Sequence, residues 1–404
     1  MMKNNEMMPL KGKNIPELLA PAGGWEHLRA AVQNGADAVY MGGPFFNARI
    51  KAENFTRENI GDAIEYAHMR DVKAYVAVNT LIKDSELARG LEYVNFLYES
   101  GADAVILQDM GLARLARKYL PEMKLHLSTQ ATVAGAGAVK TVKALGFSRI
   151  VPSREMSLDE IRAFAEACHA EEACSEINGA EAAAGACEVE VFVHGALCMC
   201  YSGQCQMSRI IGGASGRSGN RGLCAQPCRL PYTDEKGKAR FLLSPKDICT
   251  VDMIPQLAEA GVDSFKIEGR LKSPQYVAEV TSVYRKYLDM YAETGNVKAA
   301  AEDMDRLLGI FNRGGFSSGY LKGNPGKALL SGSSPKNEGI FTGKVSGCRK
   351  GSSLVDVKTE GHLAIGDGVE IRGKGVAGNV ITYLKELPAA GWNGSYRRHK
   401  KESV

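Results

Sequence analysis

No stretch of the 404-residue chain reaches eighteen uninterrupted apolar residues, which excludes a membrane-spanning helix of ordinary length. The start, Met1 to Lys13, is polar and lysine-bearing and lacks an apolar h-region, so a secretory signal is not expected and the cytoplasm is the expected compartment. Thiols stay reduced there, and clustered cysteines then point to metal or redox work more than to disulfides. HExxH is absent, which excludes a zincin site, and the Cys–His family signatures are absent too, so peptidase chemistry has no visible nucleophile paired with a base. The net charge of +4 is too small to mark a nucleic-acid binder by itself. One dinucleotide-like run, Gly373 to Gly378, lies between two short strand patterns and opens no helix, and it reads as a hairpin turn.

What the chain does have is 45% hydrophobic residues and one recurring phrase. Asn34 to Gly43 (NGADAVYMGG), Ser100 to Asp109 (SGADAVILQD) and Ala260 to Gly269 (AGVDSFKIEG) each combine a helix-ending glycine, an Asp turn, an apolar strand and a polar terminus. That is the pattern of a helix-to-strand connection in a parallel sheet. The strand opening at Glu17 is followed by strands expected at 36–42, 73–79, 102–108, 124–129, 149–152, 189–194 and 263–268, with amphipathic helices between them. Eight such units predict an α/β fold, a (β/α)8 TIM-like barrel; an open doubly wound sheet is the rival. The barrel with its trailing helices is expected over 16–313, after an N-terminal extension at 1–15 and with an alanine- and glutamate-rich insert at 168–187. The glycine- and serine-rich 314–335 reads as a linker, 336–388 as a small C-terminal β-barrel, and 389–404 as a basic tail. Pro274 to Thr294 reads as a helix with a tyrosine stripe lying beyond the barrel.

In a barrel of this kind, function sits at the C-terminal ends of the strands. The side chains placed there include Asn47, Arg49, Asn79, Asp109, Gln130, Arg154, Glu155, His194, Glu268 and Arg270. His194, Glu268 and Asp109 are the candidate catalytic residues; Arg49, Asn79, Gln130, Arg154 and Arg270 are the candidate ligands for a small anion. The plainer reading of each is a charged strand end that caps a loop or pairs with a neighbour.

Five of the ten cysteines fall within 198–228, on a glycine- and arginine-rich loop after strand seven. Cys198 with Cys205, and Cys224 with Cys228, supply four thiolates that can ligate a tetrahedral zinc or a [4Fe–4S] cluster. Spacing argues against zinc, since neither pair is a CxxC knuckle; unrelated free cysteines are the bland alternative. Cys200 reads as the spare, and Cys174 and Cys187 as bystanders. The loop and its exit carry Arg209, Arg217, Arg221, Arg229, Lys236, Lys238 and Arg240 against Asp234 and Glu235, a footprint that suits an RNA backbone or simply a solvated loop.

The run Glu190-x-Phe192-x-x-Gly195-Ala196-Leu197-Cys198, followed by Gly203-x-Cys205-x-Met207-Ser208, strongly resembles the signature of the collagenase-like peptidase family of unknown catalytic type, family U-32. LLAPAG, NGADAVYMGG, NRGLCAQPCR, SPKDICTVDMIP and FKIEGRLKSPQYVAEV extend the resemblance over roughly 16–330, and SPKNEGIFTGKV resembles the start of the small β-domain of the longer, ribosomal-RNA-modifying members. The resemblance implies an oxygen-independent hydroxylation protein acting on transfer or ribosomal RNA, with a prephenate-like anion as oxygen donor and an electron donor that it does not identify. It also implies a [4Fe–4S] cluster, here on Cys198, Cys205, Cys224 and Cys228. The family name carries the alternative of a peptidase acting on collagen-like proteins. A zinc-stabilised RNA-binding or assembly module is the non-enzymatic reading.

Overall fold

A computed structural model describes residues 15–170, 186–233, 235–332, 335–348, 354–373 and 375–385. The basic tail, Cys174 and most of the N-terminal extension and acidic insert lie outside the described residues. The chain divides into two compact units, Met1–Glu338 and Gly339–Val404.

Unit one is a closed parallel barrel. Its strands are β1 (Glu17–Ala22), β2 (Ala38–Gly42), β3 (Lys73–Val78), β4 (Ala104–Leu107), β5 (Lys124–Leu127), β6 (Phe147–Ile150), β7 (Glu188–Ala196) and β8 (Ser264–Ile267). Each pairs in parallel with the next, and β8 closes on β1. The helices between them are α1 (Trp25–Gln33), α2 (Ile60–His68), α3 (Leu87–Glu99), α4 (Met110–Tyr119), α5 (Val139–Ala144), α6 (Leu158–His169) and α7 (Ile254–Glu259), and α8 (Pro274–Thr294) follows β8. The tyrosine-striped α8, expected beyond the barrel, is its eighth helix. Tyr276, Tyr284, Tyr287 and Tyr291 are buried, and the helix packs on α1 and β1. The glycines of the recurring phrase do what the pattern asks of them: Gly35, Gly101 and Gly261 all have φ between +85° and +88°, a left-handed conformation that ends each helix at little steric cost.

Parallel strands are buried on both faces, and here the two faces differ. Outward-facing residues such as Leu18, Val39, Val76, Val105 and Phe265 build the main apolar core against the helices. Inside the barrel, the apolar cluster is limited to Leu19, Ala38, Tyr40, Tyr75, Ala104 and Ile106. An ionic network shares the interior with it. Arg149 pairs with Glu17 at 2.6 Å, Glu188 at 2.6 Å and Glu190 at 3.2 Å, and Lys266 pairs with the other oxygen of Glu190 at 2.7 Å.

The 314–335 stretch is not a free linker. Phe316–Ser317 joins the strand Asp247–Cys249, Leu330–Gly332 pairs with Ala239–Pro245, and Leu321 and Leu329 are buried. In unit two, where a small β-barrel was expected, the described residues form two separate antiparallel ladders, Gly343–Cys348 with Val355–Thr359 and Gly368–Arg372 with Val376–Val380. The second ladder contains the Gly373–Gly378 run, which is a hairpin as read. Among the described residues, no helix is long and apolar enough to cross a membrane.

Candidate active site at the barrel mouth

The C-terminal ends of the strands surround a small cavity enclosing about 50 Å³, room for a carboxylate-sized group or a few waters. Six of the expected residues line it: Arg49, Asn79, Gln130, Arg154, Glu268 and Arg270. Arg49 donates to Glu268 across 3.1 Å. Burial would raise the Glu268 carboxyl, but Arg49, then Lys272 and Arg154, outweigh it and hold the group ionised. Arg270 is buried and donates to Asn47 Oδ1 at 3.0 Å; burial pulls its guanidinium down to about 10, which leaves it charged at neutral pH. Asn79 accepts from the Ala48 backbone at 2.9 Å and so fixes the loop that carries Arg49. Lys266 is matched by Glu190, which leaves Arg49, Arg154 and Arg270 against a single carboxylate, Glu268, at the mouth, a field suited to an anion.

Asp109 and His194 are not among the residues lining that cavity. Asp109 caps α4, accepting from Leu112 N at 2.9 Å and from Ile82 N at 3.1 Å. Its position just before a helix makes it an N-cap, and both oxygens are engaged. His194 is fully buried in a box of Tyr276, Tyr284 and Phe316, with both ring nitrogens lacking a partner among the described residues. Burial, with a smaller push from Lys272, lowers its pKa to about 3. An imidazole that refuses a proton in the fold accepts one near pH 6.5 when unfolded, so its contribution to stability is complete above that value and is lost as pH falls toward 3. His194→Phe keeps the aromatic box. Between pH 6 and pH 5 the wild type should lose roughly 1 kcal/mol more unfolding free energy than this variant, measured by urea denaturation; parallel pH slopes would exclude a buried neutral His194.

The cysteine loop spans the mouth and is tied to several strand ends. Ser202, buried, accepts from Arg154 Nε at 3.2 Å and donates its backbone N–H to Glu155 at 3.1 Å. Its carbonyl accepts from Thr132 Oγ1 at 2.8 Å. Arg221 makes a two-oxygen pair with Glu86 at 2.7 and 2.8 Å and also donates to the Leu81 carbonyl. At Gly222, φ is +78°, and a Cβ would stand 2.4 Å from the Asn47 carbonyl, so only glycine lets the loop sit this close. Arg229 donates to the Leu197 carbonyl at 3.0 Å and to Ser244 Oγ at 2.7 Å. Arg221 and Arg229, expected on an RNA-facing surface, are thus engaged in holding the loop.

A family model described as peptidase family U32 matches residues 23–331. The chain belongs to peptidase family U32. It is 37% identical to the 23S rRNA 5-hydroxycytidine C2501 synthase of Escherichia coli over 88% of this chain and 52% of that one, so it spans about half the length of that relative. It is 35% identical to tRNA hydroxylation protein P1 of Bacillus subtilis, over 90% and 86% of the two chains. It is also 32% identical to a protein named collagenase from Porphyromonas gingivalis, over 92% and 89%.

In this U32 barrel the thiols gather beside the mouth. The Arg154 guanidinium, helped by Arg49 and against the effect of burial, holds the Cys198 thiol below its ordinary pKa. Burial pushes Cys228 up, and Cys198, Cys224 and Cys205 add to the push. Cys205 is raised to about 11, first by burial and then by a hydrogen bond with Cys200, so the supposed spare cysteine stands beside an expected ligand. Four neighbouring thiols fit an iron–sulfur cluster or zinc in donor type. Among the described residues, however, no three Cys, His, Asp or Glu side chains are drawn up around one point.

Sequence reading missed Tyr40, Phe192 and Lys266 on the cavity wall. Strand alternation carries the signal: Ser264, Lys266 and Glu268 share the inner face of β8, while Phe265 and Ile267 face the helices.

Proposed function

We propose that this chain is an RNA-hydroxylating enzyme acting on transfer or ribosomal RNA with a small dianionic oxygen donor resembling prephenate. The observation that carries the reading is the mouth itself: three guanidiniums, Arg49, Arg154 and Arg270, line a space that takes a carboxylate, next to a thiol-bearing loop. The RNA-modifying names of the Escherichia coli and Bacillus subtilis relatives give the substrate class.

In this reading, Arg49, Arg154 and Arg270 clamp the donor's carboxylates, and bidentate pairing fixes its orientation. Glu268, held ionised by Arg49, keeps Arg49 aimed at the cavity. Transfer of a hydroxyl from donor to base, R–H + R′–OH → R–OH + R′–H, balances in atoms and electrons. Cys198, Cys205, Cys224 and Cys228 would hold a [4Fe–4S] cluster, whose chemistry when bound is one-electron transfer.

The family's peptidase name and the collagenase relative favour a second reading, hydrolysis of a protein substrate. Among the described residues, no histidine lines the mouth to serve as its base. Iron, acid-labile sulfide and zinc measured on anaerobically purified wild type, Cys205→Ala and Cys224→Ala test the proposal. Near-stoichiometric iron and sulfide lost in both variants is the expected result, followed by loss of the hydroxylated nucleotide in RNA from cells lacking the protein. Zinc bound through the same cysteines would favour the RNA-binding or assembly module, and neither metal would return the peptidase to the front.

A further inference from the structure

A second cleft, of about 190 Å³, opens beside the mouth on the loops after β2 and β3. Phe45, Phe46, Ile50, Thr80, Arg89 and Arg221 line it. Phe45 and Phe46 are half-buried: on one side they meet Tyr93, at centroid distances of 5.6 and 6.5 Å. Core packing accounts for that side only. Over Phe45 lies the exposed Arg89, its guanidinium 4.1 Å from the ring centroid, and Arg221, which with Glu86 also lines the cleft, is fixed there by both oxygens of Glu86. Phe46 adopts φ +55°, a left-handed conformation that is costly for an aromatic residue and is retained mainly where surrounding structure or function demands it.

The cleft shares a wall with the mouth. In the segment Asn47 to Ile50, Asn47 and Ile50 line the cleft while Ala48 and Arg49 line the anion cavity. Arg221 belongs to the cysteine loop, so the cleft, the mouth and that loop meet at one place. Aromatic faces interleaved with guanidinium planes form the platform on which unstacked bases of single-stranded RNA are held, because every base offers a π-face and the strand carries negative charge.

We propose that the Phe45–Phe46–Arg89–Arg221 cleft binds a nucleobase flanking the modified nucleotide and so positions a single RNA strand across the mouth; this rests on the RNA reading above. The test uses the full chain and a short mixed-sequence single-stranded RNA carrying 4-thiouridine, irradiated and mapped by mass spectrometry, with affinity measured by fluorescence anisotropy. Crosslinks are expected in residues 44–50 and at Arg89. Phe45→Leu keeps the apolar contact with Tyr93 but loses the flat face, and it and Arg89→Ala should each weaken binding by about tenfold with an unchanged thermal melt. RNA that binds with crosslinks confined to other segments, and with equal affinity for both variants, overturns the cleft and leaves the RNA reading standing. A wild type that binds no RNA overturns both.

Discussion

Arg149→Met is expected to lower the unfolding free energy by about 3–5 kcal/mol, the cost of stranding buried carboxylates without their cation. Arg149 is 3% exposed and touches three carboxylates, of which Glu190 is fully buried and Glu17 nearly so. Burial works against its charge, and Glu190 and Glu17 more than offset this, so its pKa rises. With the guanidinium gone, Glu190 keeps only Lys266, and Glu17 keeps Tyr75, Ser264 and the half-exposed Lys73. Glu188→Gln is the control. That partner is 51% exposed, and losing its charge should cost less than about 1 kcal/mol. Urea denaturation of both variants decides the matter: a loss below 1 kcal/mol for Arg149→Met would mean that the barrel interior admits water and screens the charges.

Arg154→Met should leave the fold intact and reduce RNA hydroxylation by roughly 30- to 1,000-fold, corresponding to about 2–4 kcal/mol for a lost charge-assisted contact in a desolvated site. Arg154 is half-buried, its hydrogen-bond partners Ser202 Oγ at 3.2 Å and the Ala196 carbonyl at 3.4 Å are neutral, and Glu268 keeps its Arg49 ion pair when Arg154 is removed. A second readout needs no substrate. Arg154 is the largest influence lowering the Cys198 thiol, against burial and with help from Arg49. On protein stripped of metal, the variant's Cys198 should therefore alkylate several-fold more slowly near neutral pH, since the thiolate is the reacting form. Unchanged alkylation and unchanged hydroxylation together would remove Arg154 from the site.

The barrel was legible in the sequence because its signals are local. A glycine that must be left-handed, an Asp turn and an apolar run recur at Gly35, Gly101 and Gly261, and each needs only its own neighbours to be understood. The polar ring was legible for the same reason: Arg49, Asn79, Gln130, Arg154, Glu268 and Arg270 all follow strands. His194 and Asp109 follow strands too, yet what surrounds them comes from distant segments. Tyr276, Tyr284 and Phe316 enclose the histidine, and Ile82 N occupies the second oxygen of the aspartate. The Asp109 cap could have been read from its place before α4; the aromatic box could not. Lys266 and Arg149 are harder to read because each sits inside a run of apolar residues, although alternation along β8 places Lys266 on the inner face. Treating 314–335 as a linker weighed its glycines and serines above Leu321 and Leu329, which are buried.

The cysteine loop has ties to residues following β2, β3, β5 and β6, through Gly222 against Asn47, Arg221 on Glu86, Thr132 on the Ser202 carbonyl and Arg154 on Ser202. No one of these contacts holds it alone. Undoing any one leaves the rest in register, so partial lifting gains little freedom while already exposing polar groups. These ties are expected to make the anchored parts of the loop open together instead of fraying from one end, which hydrogen exchange of their backbone amides would read.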